Sequence, residues 1–204
     1  MTRVELSAIV GGHGDAEAAP VLIQRIARQV APGAVLNIDP VLRVPESRLL
    51  KEGELERQVE RAARKMRGRG GILVLVDCDW DGGCPAREGP ALAQRAHRAR
   101  SDMQISVVLA KKEFEAWFIA AAESLRGQCG LSQELVADPD PESIRGAKEW
   151  LSRHMPRNRR YAETTDQPAL TAIFDLQAAR RADSFDKCYR EIVRLLTVLG
   201  PEGS

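Results

Sequence analysis

Apolar residues along this chain fall into two rhythms. Residues 4–10 (VELSAIV), 35–44, the run ILVLVD after Gly71, and 105–110 (ISVVLA) are short and rich in β-branched side chains, which predicts strands. The ILVLVD run does not alternate, as expected of a strand covered on both faces. Between these runs the period lengthens. Leu22, Ile26 and Val30 recur at four-residue steps, predicting a helix with Asp15 as its N-cap and Pro32-Gly33 as its end. Residues 54–66 form a polar, Arg-rich helical pattern broken by the glycines from Gly68 to Gly71, and 90–99 and 113–122 predict two more helices.

After residue 125 no further strand is predicted. Asp138-Pro139-Asp140-Pro141 is a turn whose second proline suits the first position of a helix capped by Asp140. Helices are expected over 144–154, 169–179 and 186–199, the last with Cys188, Ile192, Leu195, Leu196 and Leu199 on one face. Strand and helix alternating through short loops predict an α/β fold, a mostly parallel central sheet flanked by helices. Residues 1–125 form the expected core, and 126–204 a helical extension packed on it.

Composition narrows the class without naming a function. Of 204 residues, 44 % are hydrophobic and 29 % charged, the balance of an ordinary globular chain able to fold without staples. No apolar run reaches the ~20 residues of a membrane span, and the N-terminus lacks a signal-peptide layout, so a cytoplasmic location is expected. Cys78, Cys84, Cys129 and Cys188 are scattered and match no zinc spacing, which predicts free thiols.

A net charge of +1 gives no overall pull towards nucleic acid, but the cations are clustered. Arg57, Arg61, Arg64, Lys65, Arg67 and Arg69 crowd one helix and its exit, and Arg153, Arg157, Arg159 and Arg160 crowd a second stretch. Each is a candidate phosphate-binding surface or simply a solvated face.

The carboxylates carry more information. In a parallel sheet the C-terminal strand ends share one edge, where loops form a ligand crevice. The first strand ends before Asp15 and Glu17, the third at Asp77 followed by Asp79 and Asp81, and the last just before Glu113 and Glu115. Oxygen donors gathered in this way suit Mg²⁺ or Mn²⁺, a cation that would bind phosphate and activate a water. Lys111 and Lys112 precede Glu113, where they would hold phosphate or balance the acids. Trp117 and Phe118 read as core packing. Gly11, Gly12 and Gly14 match neither of the common nucleotide-binding glycine patterns.

The order V-G-G-H-G-D, I-L-V-L-V-D-C-D, L-A-K-K-E-F-E-A-W-F, T-D-Q-P-A-L and S-F-D-K resembles a bacterial family catalogued as domain-of-unknown-function family 4276, a Toprim-like group, over nearly the whole chain. The resemblance implies Mg²⁺-dependent phosphodiester chemistry on nucleic acid, in some relatives as part of anti-phage defence beside an ATPase partner. It implies Asp77 and Asp79 as metal ligands, with Glu113 or Glu115 completing the shell. It implies Asp15 and Glu113 as catalytic; an enzyme of that kind would use Lys111, Lys112, Arg157, Arg159 and Arg160, or the helix from Arg57 to Arg69, to grip the polymer. A homodimer is among the assemblies it allows. The chain departs from the family where the first strand is usually followed by V-E-G, since Gly11 stands in the acid position. Asp15, Glu17 or a water are the substitutes then available. Two readings therefore stand, an active nuclease and a non-catalytic subunit that binds an ATPase or nucleic acid, with a small-molecule phosphate enzyme a distant third.

Overall fold

A computed structural model describes residues 3–200. Four strands, β1 (Arg3–Val10), β2 (Val35–Arg43), β3 (Gly71–Cys78) and β4 (Gln104–Lys111), form one all-parallel sheet in the order β2-β1-β3-β4. The helices are α1 (His13–Val30), α2 (Glu46–Leu49), α3 (Glu54–Lys65), α4 (Pro85–Ala99), α5 (Ala116–Ala120), α6 (Ala147–Arg153), α7 (Glu163–Thr171), α8 (Leu176–Ala179) and α9 (Asp183–Leu199). The expected α/β class and parallel sheet are what the molecule has.

The two-residue pleat of the strands divides the core. Leu73 and Leu75 of β3 face a layer containing α1, α5, α7 and α9, whereas Ile72, Val74, Val76 and Cys78 face α3 and α4. This is why the run ILVLV before Asp77 has no polar position: both of its faces are covered. The larger layer draws on both halves of the chain, from Val4 and Leu22 to Phe174, Phe185 and Leu196. At its centre Trp117, Phe114, Phe118, Phe174 and Phe185 pack with ring centroids 4.4–5.6 Å apart, so Trp117 and Phe118 are core residues. The S-F-D-K motif serves the same packing. Ser184 Oγ accepts from Trp117 Nε1 at 2.9 Å and from the Lys111 N–H at 3.1 Å.

Several expected boundaries move, each for a local reason. The cap of α1 is Gly12, and Asp15, expected as the cap, lies three residues into the helix, where it accepts the Gly12 N–H at 2.8 Å. Helix α4 begins at Pro85, because proline is tolerated in a first turn that needs no N–H, and it carries Pro90 inside. The segment expected as a helix over 113–122 is helical only over α5, followed by a 3-10 turn at Ala122–Leu125. The segment expected as one helix over 169–179 divides between α7 and α8, because Asp175 caps the second through the Gln177 and Ala178 N–H groups. Pro141 opens only a 3-10 turn, Pro141–Ser143, without side-chain capping by Asp140. Helix α9 starts at Asp183 rather than at residue 186. The four cysteines are free.

Candidate acidic cleft

All four strands point their C-terminal ends at one edge. The strand order reverses direction between β1 and β3, and there the loops diverge to leave a crevice. A cleft of about 440 Å³ opens at this edge, lined by Gly12, Asp15, Glu46, Asp77, Asp79, Trp80, Glu113, Lys148 and Glu163, among others. Its floor is Asp77, packed round by protein, partly open to solvent, and hydrogen-bonded through Oδ1 to the Phe114 N–H at 2.9 Å. Asp79 is exposed on the wall, with Lys112 Nζ 3.9 Å away. Asp15 is buried and holds two donors, the Gly12 N–H and Gln167 Nε2, the latter at 2.7 Å.

Burial separates Glu113 from Glu115. Glu113 lines the cleft and accepts the Ala147 N–H at 2.6 Å. Glu115 is only 1 % exposed. Its Oε1 accepts from Tyr161 Oη at 3.0 Å, and its Oε2 has no hydrogen-bond partner. Lys148 Nζ joins the acids, 3.0 Å from Glu163 Oε2, 3.9 Å from Glu113 Oε1 and 4.0 Å from Glu115 Oε1.

Burial and mutual repulsion set the protonation of this group. Burial pushes Glu115 up to about 8 against the pull of Lys148, with Glu113 and Asp15 adding repulsion. Asp77 is raised well above the carboxylate range by burial, then by the charges of Asp15 and Glu115, with Glu46 adding to them. Asp15 is raised by burial despite its hydrogen bonds. Burial opposes the charge of Lys148, but Glu115, Glu163 and Asp77 outweigh it and keep the ammonium protonated. Burial likewise opposes the charge of Glu163, but its bonds to Lys148 and the Gly14 N–H hold its carboxyl below the usual range.

Of the expected site residues, Asp15, Asp77, Asp79 and Glu113 meet at the cleft, and Glu115 lies buried among them. Glu17 is exposed on α1, away from the cleft lining. Lys112 adjoins the cleft through Asp79. Lys111 instead lines a neighbouring pocket of about 520 Å³ with Lys112, Lys187 and Arg190. Arg159 is bound to Asp166 at 2.6 Å, whereas Arg157 and Arg160 are exposed in the loop just before Tyr161 and Glu163. Lys65, Arg67 and Arg69 gather with Arg3 at the N-terminal edge of the sheet, opposite the cleft, so that end of the basic helix cannot share a ligand with it.

Sequence reasoning missed Glu46, Lys148, Tyr161, Glu163 and Gln167. Only Gln167 carried a signal, within T-D-Q-P-A-L, and its role is to hold Asp15. Gly14 makes that contact feasible. A Cβ there would collide with Gln167 Oε1 and lie 2.7 Å from the Glu163 carbonyl oxygen.

Fold and site together define an α/β protein of parallel sheet with an acidic cleft at its carboxyl edge. The family described as Domain of unknown function (DUF4276) matches residues 10–192, and the chain belongs to it. No curated protein and no solved structure matches the chain significantly. Among the described residues no helix is long and apolar enough to cross a membrane.

The donor set can be tested against the divalent cation that the sequence suggested. Among the described residues no three His, Cys, Asp or Glu side chains converge into a ready-made cage. Mg²⁺ does not require one, since it keeps several waters and takes one or two carboxylates plus substrate oxygens. Burial first, and neighbouring carboxylates after it, raise Asp15 and Asp77, and Glu115 Oε2 has no hydrogen-bond partner. These hard oxygen donors fit an open Mg²⁺ or Mn²⁺ site.

Proposed function

We propose that this chain is a divalent-metal-dependent phosphodiester hydrolase, a nuclease of the Toprim type acting on DNA or RNA. The observation that carries the reading is the meeting of Asp15, Asp77, Asp79 and Glu113, from three separate strand ends, in one cleft of the parallel sheet. Asp77 and Asp79 would hold Mg²⁺ or Mn²⁺, with Glu113 at the rim. Such a cation, when bound, supplies charge for phosphate oxygens and lowers the pKa of a water.

The chain's own groups have separable tasks. Lys148 keeps a fixed positive charge on the cleft wall, suited to a phosphate oxygen or to the negative charge that grows as the ester is attacked. Asp15, oriented by Gln167, stands where a water could be positioned. Glu115 lies too deep to touch a polymer and instead steadies Tyr161 and Lys148. Lys112, the adjoining pocket of Lys111, Lys187 and Arg190, and the exposed Arg157 and Arg160 supply cations on either side for a phosphate backbone.

The alternative, a non-catalytic subunit that binds an ATPase partner or nucleic acid, draws its support from Gly11, which offers no carboxylate where the family usually has one. A role in anti-phage defence rests on the resemblance alone.

The test is cleavage of plasmid DNA, single-stranded DNA and total tRNA with Mg²⁺ or Mn²⁺. Wild type should cut and Asp77→Asn should not, while remaining folded, because Asn can still accept the Phe114 N–H. Equal cutting by both would remove Asp77 from the site. No cutting by wild type under either metal would favour the subunit reading.

A further inference from the structure

Beside the acidic cleft, across Lys112, the pocket of about 520 Å³ lies at the carboxyl ends of β3 and β4. Its apolar wall is Cys78 and Leu109 from the strands and Pro85 and Ala86 from the start of α4. The end of β4 adds Lys111, and the first turns of α9 add Lys187 and Arg190. Arg190 is tied to Asp186 at 2.8 Å. Lys111 Nζ and Lys187 Nζ make no hydrogen bond or ion pair among the described residues. Lys187 Nζ lies against α4, 3.3 Å from where a Cβ on Gly89 would stand. Glycine inside a helix is destabilising relative to alanine, and at this position it leaves room for the ammonium.

The same pocket holds a carboxylate that is almost wholly buried. Glu142 is 3 % exposed, and its Oε1 accepts the Ser184 N–H at 3.0 Å. Its Oε2 faces the pocket without a hydrogen-bond partner among the described residues. Buried polar atoms normally find partners, and neither free lysine pairs with this one although all three line one pocket. Opposite charges held apart in this way suit a ligand with an anion at one end and an N–H donor at the other. Apolar walls between them suit a flat ring, and the volume is that of a small-molecule site. A phosphate monoester carries about −1.5 to −2 charge at pH 7, which matches two ammonium groups better than the single charge of a diester does.

We propose that this pocket binds a nucleoside monophosphate. Lys111 and Lys187 hold its phosphate, Glu142 Oε2 accepts an N–H of its base, and the ring lies against Leu109, Pro85 and Ala86. Such a nucleotide is either free or the 5′-terminal residue of a strand, and the chemistry of recognition is the same for both. The site needs no metal, so it stands or falls separately from the metal-dependent reading above.

The experiment is calorimetric titration of the full chain in chelator with AMP, CMP, GMP and UMP, and with ribose 5-phosphate as the ligand that lacks a base. At least one nucleotide should bind, about tenfold or more tightly than ribose 5-phosphate. Lys187→Met should weaken that nucleotide by about tenfold or more, as expected for a lost hydrogen bond to a charged group. Glu142→Gln should weaken it similarly and leave ribose 5-phosphate unchanged, because Gln still accepts the Ser184 N–H but presents an N–H to the base. Asp77→Asn should bind as wild type does. Thermal melting checks folding, and the partly exposed Lys187 carries the test if Glu142→Gln does not fold. A short oligonucleotide that binds only with its 5′-phosphate supports the strand end as the source, and binding of mononucleotides alone supports the free nucleotide.

Wild type that binds none of the four nucleotides, or binding indifferent to Lys187→Met, would overturn the proposal. Ribose 5-phosphate bound as tightly as the nucleotides, with Glu142→Gln unaffected, would overturn the role of Glu142. Metal-dependent cleavage by a chain that binds no nucleotide in chelator would overturn the pocket and leave the nuclease reading standing.

Discussion

Replacing Glu115 by Gln should stabilise the protein, and increasingly so as pH rises. Glu115 is buried, and its carboxyl is pushed from an ordinary 4.5 up to about 8. Below 4.5 it is protonated whether the chain is folded or not, and contributes nothing to the pH dependence. Between 4.5 and about 8 the folded chain holds a proton that the unfolded chain has released, so stability falls with rising pH until the higher value is passed. Each pH unit in that window costs about 1.4 kcal/mol, giving a ceiling of about 5 kcal/mol. Gln keeps an oxygen for Tyr161 Oη but leaves Lys148 one counter-charge short, so a gain of about 2–3 kcal/mol above pH 8 is the working expectation. The assay is urea unfolding of both proteins in chelator from about pH 5 to 9, comparing the free energies pairwise. The difference should be small near pH 5 and grow through pH 8. A constant difference, or a Gln variant less stable at high pH, would refute the claim that this carboxyl is the strained member of the cluster.

Lys148→Met should leave Glu113, Glu115 and Glu163 facing one another, and should cost about 1–3 kcal/mol after allowance for the partial exposure of the lysine, read as a lower midpoint in urea. Gly14→Ala should push α7 from the start of α1 and loosen the Gln167 bond to Asp15. A loss of about 2–3 kcal/mol, or a melting temperature lower by about 4–12 °C, is expected, and an unchanged melting temperature would contradict the contact. Arg157→Glu with Arg160→Glu should weaken nucleic-acid binding and flatten its dependence on salt, while Arg67→Glu at the opposite edge should leave both nearly unchanged.

Legibility in the sequence followed strand geometry. The acids after Val10, at Asp77 and Asp79, and after Lys111 could be placed together because each directly follows an apolar run whose direction in a parallel sheet is known. Helix ends were harder. The cap assigned to Asp15 belongs to Gly12, which has no side chain to advertise it. Part of the cleft wall stayed hidden because Lys148 and Glu163 come from helices whose place depends on tertiary packing over Trp117, Phe174 and Phe185, and Tyr161 from the loop just before α7. Glu46 was invisible for another reason. Its partner in space is Gly11, a residue whose contribution is the absence of a side chain, and no local pattern joins an empty position to an acid 35 residues away.

Anomalous scattering from crystals soaked in Mn²⁺ tests the central claim most directly. The account predicts a peak in the cleft at Asp77 and Asp79, lost in crystals of Asp77→Asn. A peak elsewhere, or a cleft without one in well-diffracting crystals at saturating Mn²⁺, would contradict the assignment of a divalent-metal site to this edge of the sheet.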